Sequence, residues 1–111
     1  MEKAAEEIKG VPFDLAGHVS YAEGSVVSKT LLKKDAGNLT LFSFAQGQGL
    51  SEHTAPFDAV VYILDGTAQI TIGGKTTAVS TGEMIIMPAN IPHALHAEEK
   101  FKMLLIMVRS K

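Results

Sequence analysis

The chain has 111 residues, 46% of them hydrophobic and 20% charged, with ten Gly, four Pro and no Cys. That length fits one domain with its own core, and the missing Cys excludes disulfides, thiolate nucleophiles, Cys-ligated zinc and iron–sulfur clusters. Ten Lys+Arg against twelve Asp+Glu give a formal charge of −2 with no long run of either sign, which argues against a nucleic-acid binder. No uncharged stretch is apolar enough to span a membrane, and the acidic start Met1 to Glu7 lacks the apolar core of a signal peptide. A soluble, cytoplasmic chain is the expectation.

Only the first nine residues have helical character: Ala4, Ala5 and Ile8 sit among Glu and Lys, and Gly10 and Pro12 end the pattern. Short β-type runs follow. Ser25 to Lys33 is the first, and the cluster Lys34 to Asn38 turns it into Leu39 to Ala45. Gln46 to Gly49 breaks that run, and Ser51, His53 and Ala55 should share one face of the next extended stretch. Val60 to Leu64 is a β-branched and aromatic run, and Asp65-Gly66 after it reads as a tight hairpin into Thr67 to Ile72. Gly73-Gly74 predicts a second hairpin into Lys75 to Val79. Thr81-Gly82 leads into Glu83 to Met87, Pro88 to Pro92 is a loop, and Phe101 to Val108 closes the series. Some nine or ten short strands with no core-length helix predict an all-β sandwich or barrel.

Two segments carry more than pattern. Gly47 to Gly66 reads GQGLSEHTAPFDAVVYILDG, and Gly82 to Ala97 reads GEMIIMPANIPHALHA. Together they resemble the two motifs of the cupin superfamily, with Gly47, His53 and Gly66 on the spacing of the first and Gly82, Pro88 and His93 on that of the second. Asn90 stands where the family usually has Gly, and Asn tolerates positive φ better than any other residue with a side chain. The resemblance implies a single domain over residues 1–111: a double-stranded β-helix (jelly-roll) barrel behind a 1–10 extension with a short N-terminal helix. Motif 1 lies at 47–66 and motif 2 at 82–97.

It also implies a metal centre, with a departure. Of the four ligand positions the family typically uses, only His53 and His93 are filled, and Ala55 and Ala59 occupy the other two. Two imidazoles meeting inside an apolar barrel form a nucleus for a divalent transition metal: Zn, Fe, Ni, Mn or Cu. Asp58 is the best-placed carboxylate for a third ligand. Glu52 should face away from His53, His96 has the wrong parity relative to His93, and nothing positions His18 near the others. Val61 and Ile63 should line the barrel beyond Ala59. Gln46 and Gln48 read as polar loop, and Met84, Met87, Met103 and Met107 as packing or as the wall of an adaptable pocket.

Two functions are expected from this. One is metal-dependent action on, or sensing of, a small organic molecule, with oxygenation, isomerisation and decarboxylation all open. The other is a metal-free binding module whose apolar pocket is widened by Ala55 and Ala59. Members of such families commonly form homodimers, and the run Val26 to Leu32 offers an edge for one.

Overall fold

The computed structural model describes residues 8–109. The helix expected at the start falls almost wholly outside them, and the short helical element described is a 3-10 turn at Ala16–His18. Nine strands follow: β1 (Val26–Lys34), β2 (Gly37–Phe44), β3 (Gly49–His53), β4 (Asp58–Asp65), β5 (Thr67–Ile72), β6 (Lys75–Ser80), β7 (Met84–Met87), β8 (His93–His96) and β9 (Phe101–Val108). They form a five-stranded sheet in the order β1-β2-β9-β4-β7 and a four-stranded sheet in the order β3-β8-β5-β6. The ladders are antiparallel. This is the expected jelly-roll. The strand β8 was not among the runs singled out in the sequence, because four residues with one large apolar side chain give little periodic signal.

Turn chemistry divides into two cases. Gly73 and Gly74, at φ 57° and 85°, join the paired ends Ile72 and Lys75, so this hairpin forms as expected. Asp65-Gly66 does not make a hairpin. β4 belongs to the larger sheet and β5 to the smaller, so Gly66 is the corner where the chain changes sheet. Its φ is 88°, and a Cβ there would stand 2.6 Å from the Lys100 carbonyl oxygen. Glycine is required at this corner for both reasons.

The core lies between the sheets. Val61, Ile63 and Ala59 alternate inward along β4 and meet Ile70, Phe44, Phe101 and Met103, all buried. Phe44 and Phe101 are ladder partners with stacked rings 4.6 Å apart. A second apolar layer covers part of the outer face of the five-stranded sheet, where Leu15 and Val19 pack with Leu31, Leu41 and Leu104. Tyr21 ties that N-terminal layer to the barrel: its hydroxyl donates to Asp65 at 2.6 Å, and the Lys100 and Lys102 ammoniums lie 4.6 and 5.0 Å from its ring centroid. Burial and the Asp65 carboxylate hold its phenol well above the ordinary tyrosine range.

Candidate metal centre

His53 ends β3 and His93 begins β8, and the two are partners in the ladder between those strands. From Leu50 to His53 the chain takes three steps while β8 takes two, from Leu95 to His93, so one extra residue bulges on β3. The bulge breaks the inside–outside alternation. Leu50 and His53, three residues apart, both border the cavity, with His53 exposed at its mouth, whereas the exposed Ser51 and Glu52 do not border it. The expectation that Ser51 shares a face with His53 fails for that reason. Pro92, whose carbonyl accepts from the Gly73 amide at 2.9 Å, pins the loop that delivers His93 to β8, the neighbour of β3 in the same sheet.

The rings meet edge to face, with centroids 4.4 Å apart and planes at 71°. Their Nε2 atoms face each other at 3.2 Å. On the far side of each ring, Nδ1 meets a carbonyl two residues back: Ser51 at 2.9 Å from His53, and Ile91 at 3.3 Å from His93. A carbonyl can only accept, so these partners assign the proton to Nδ1 in both rings. In the neutral pair with both protons on Nδ1, the two Nε2 lone pairs lie 3.2 Å apart; moving the proton of one ring to Nε2 turns the same contact into an ordinary Nε2–H···Nε2 hydrogen bond at the cost of that ring's carbonyl bond.

His93 is 4% exposed, while His53 stands exposed at the cavity mouth. Burial first, then the proximity of His53, lower the His93 pKa below its ordinary 6.5, against a smaller upward pull from the Ile91 carbonyl. At neutral pH the His93 ring is therefore uncharged.

Beneath the pair lies a cavity of about 50 Å³. The only nitrogens in its lining side chains are those of His53 and His93; the other heteroatoms are the thioethers of Met87, Met103 and Met107. The remaining wall is hydrocarbon, including Ala55 and Ala59. Among the described residues no group of three or more His, Asp or Glu is placed to share an ion. Asp58 is not a third ligand in this structure. Its Oδ1 accepts from the Ala89 amide at 2.9 Å, bracing the start of β4 against the loop before β8. His96 is exposed, as its parity predicts, and His18 stacks near Phe13 with centroids 4.6 Å apart. Gln46 borders a different hollow of about 390 Å³, shared with Tyr21 and Lys100 and holding no histidine. Asn90 adopts φ 66°, so the residue in the usual glycine position takes the glycine conformation.

A jelly-roll barrel whose two motif segments bring one imidazole each into its interior defines a small cupin-type protein. The Cupin domain family model matches residues 40–109, and the chain belongs to that family. It is similar to a conserved protein of unknown function from Streptococcus pyogenes, at 41% identity and TM-score 0.87 over 92% of this chain and 90% of that one. A cupin 2 conserved barrel domain protein from Leptotrichia buccalis is 49% identical with TM-score 0.85, over 87% of this chain and 47% of that one. A cupin superfamily protein from Desulfitobacterium hafniense is 31% identical with TM-score 0.86, over 92% and 94%. An uncharacterised protein of Streptomyces coelicolor is 31% identical over 61 residues, which span 53% of this chain and 58% of that relative. No helix among the described residues is long and apolar enough to cross a membrane.

Proposed function

We propose that the protein binds a transition-metal ion between His53 and His93 and uses it to hold, sense or act on a small organic molecule at the barrel mouth. One observation carries this reading: two Nε2 atoms 3.2 Å apart, with both Nδ1 atoms committed to carbonyls. The nitrogen separation suits an ion. Two metal–imidazole bonds of about 2.0–2.1 Å meeting at a tetrahedral angle separate their nitrogens by roughly 3.3–3.4 Å. Neutral imidazole suits Zn, Cu, Fe and Ni, so the divalent ions expected from the sequence are the first to test, with Mn beside them.

His53 and His93 would hold the ion, leaving its other positions to water or to a donor atom of the small molecule. Such an ion supplies Lewis acidity to a bound oxygen atom, which is compatible with isomerisation, decarboxylation or oxygenation. The chain's own contribution is to fix both rings through their Nδ1 bonds and to surround the ion with an apolar wall.

The metal-free alternative, an apolar pocket opened by Ala55 and Ala59, is weakened by size. The cavity, at about 50 Å³, is well below the roughly 300–1,000 Å³ of pockets that take organic ligands. Elemental analysis and titration of purified protein, beside His53→Ala, test the proposal. One equivalent of metal per chain, lost in the variant, is expected; sub-stoichiometric metal unchanged by the variant would sink it. Cytoplasmic residence and pairing of two copies along the edge strand β1 belong to the same reading, and sedimentation showing only monomer at micromolar concentration would remove the dimer.

A further inference from the structure

We infer that the ion this site selects is monovalent copper, held by the two imidazoles together with thioether sulfur from Met87 or Met107. The inference rests on the reading of His53 and His93 as ligands and narrows which ion they take.

The register places these sulfurs. Ala59 of β4 pairs with Met87 of β7 on one side and with Met107 of β9 on the other. All three line the same cavity as the histidines. The position where the family resemblance puts a carboxylate therefore carries a methyl group flanked by two methionines. A hard anionic donor is replaced by soft neutral ones.

Three consequences point the same way. Thioether and imidazole donors favour Cu(I), whereas Mn and Mg prefer carboxylate, carbonyl and water oxygen. The cavity wall offers no anionic group, and the cost of burying an ion grows with the square of its charge, so a monocation is far cheaper here than a dication. Cu(I) is also satisfied by two or three ligands, so two imidazoles and one sulfur complete its set. A dication in the same place must complete its coordination with water or another imported donor, because the wall offers no further nitrogen or oxygen side chain.

The test is anaerobic titration of the full chain with Cu(I) against a competing Cu(I) chelator, beside calorimetric titration with Zn(II) and Ni(II). Copper X-ray absorption supplies a readout of sulfur in the first coordination sphere. Met87→Leu/Met107→Leu removes both flanking sulfurs at nearly constant volume, so the fold is retained, and thermal unfolding checks that it is. We expect Cu(I) to bind at least about tenfold more tightly than Zn(II) or Ni(II), with sulfur scattering present. The double variant should weaken Cu(I) by about tenfold, lose that scattering, and leave Zn(II) within about twofold. Zn(II) or Ni(II) binding as tightly as Cu(I) at a His53-dependent site overturns this inference and leaves the metal reading standing. So does a double variant that binds Cu(I) unchanged. If His53→Ala changes the binding of no ion, both fall together.

Discussion

The two ends of the barrel interior are built from the same strands and packed to opposite effect. At one end β9 contributes Phe101, fully buried, and Phe44 stacks on it. At the other end the same strand contributes Met103, Leu105 and Met107, which border a hollow together with Ala55, Ala59 and the two histidines. The filled end supplies stability through close contact. The hollow end leaves room where small side chains stand opposite imidazoles. The difference teaches that one strand can serve both ends: large stacked rings close one, while the methyl groups of Ala55 and Ala59 leave the other open beside the imidazoles.

Removing bulk at the filled end should have the largest effect. Phe101→Ala is expected to cost about 3–5 kcal/mol in chemical unfolding, while any metal affinity of the folded fraction stays unchanged. A loss of affinity in well-folded variant protein would show that the two ends are not separable. Adding a charge at the hollow end comes next. Ala59→Glu buries a carboxylate without a partner and should cost about 1–3 kcal/mol in metal-free protein. Added Zn(II) should raise its melting temperature more than that of the parent chain, because the carboxylate gains a cation. No difference in the zinc-induced shift would put Ala59 outside ligating reach.

A pH series gives a smaller effect. Because the folded His93 pKa lies below 6.5, the unfolded chain binds more protons than the folded chain below that value. Stability is therefore full above pH 6.5 and declines as pH falls through the window beneath it. Unfolding of metal-free protein between about pH 7.5 and about pH 5 should show this slope, flattened in His93→Gln. An identical slope in the variant would assign the effect elsewhere. The smallest expected change is at the loop before His93. Asn90→Ala places a less tolerant side chain at φ 66° and should cost about 1 kcal/mol, with Asn90→Gly neutral or better.

Much of the fold was legible because its signals are local. Gly73-Gly74 sets a hairpin by its own φ values, Asn90 takes the turn its residue type permits, and Val61 and Ile63 of β4 turn inward beyond Ala59 as strand parity predicts. Asp65-Gly66 shows the limit. The same local chemistry that makes hairpins also makes a corner, and only long-range pairing decides between them. His53 and His93 were legible from motif spacing. The bulge that turns His53 inward has no glycine or proline between Leu50 and His53 to mark it, and it defeated simple parity at Ser51. The methionines flanking Ala59 depend on cross-strand register between three segments, which no single stretch encodes. Asp58 is the best-placed carboxylate by proximity in sequence, and its bond to Ala89 becomes evident only once the loop is folded.

The central claim is that two Nε2 atoms aimed at one another bind an ion jointly. Long-range proton–nitrogen correlation spectra of the histidine side chains, recorded with and without Zn(II) or Cu(I), test it directly. The account predicts that Nε2 of His53 and of His93 shift together on adding the ion while both Nδ1 atoms keep their protons, with His18 and His96 unmoved. Rings that do not respond, or an ion that displaces the Nδ1 proton of either ring, would contradict it.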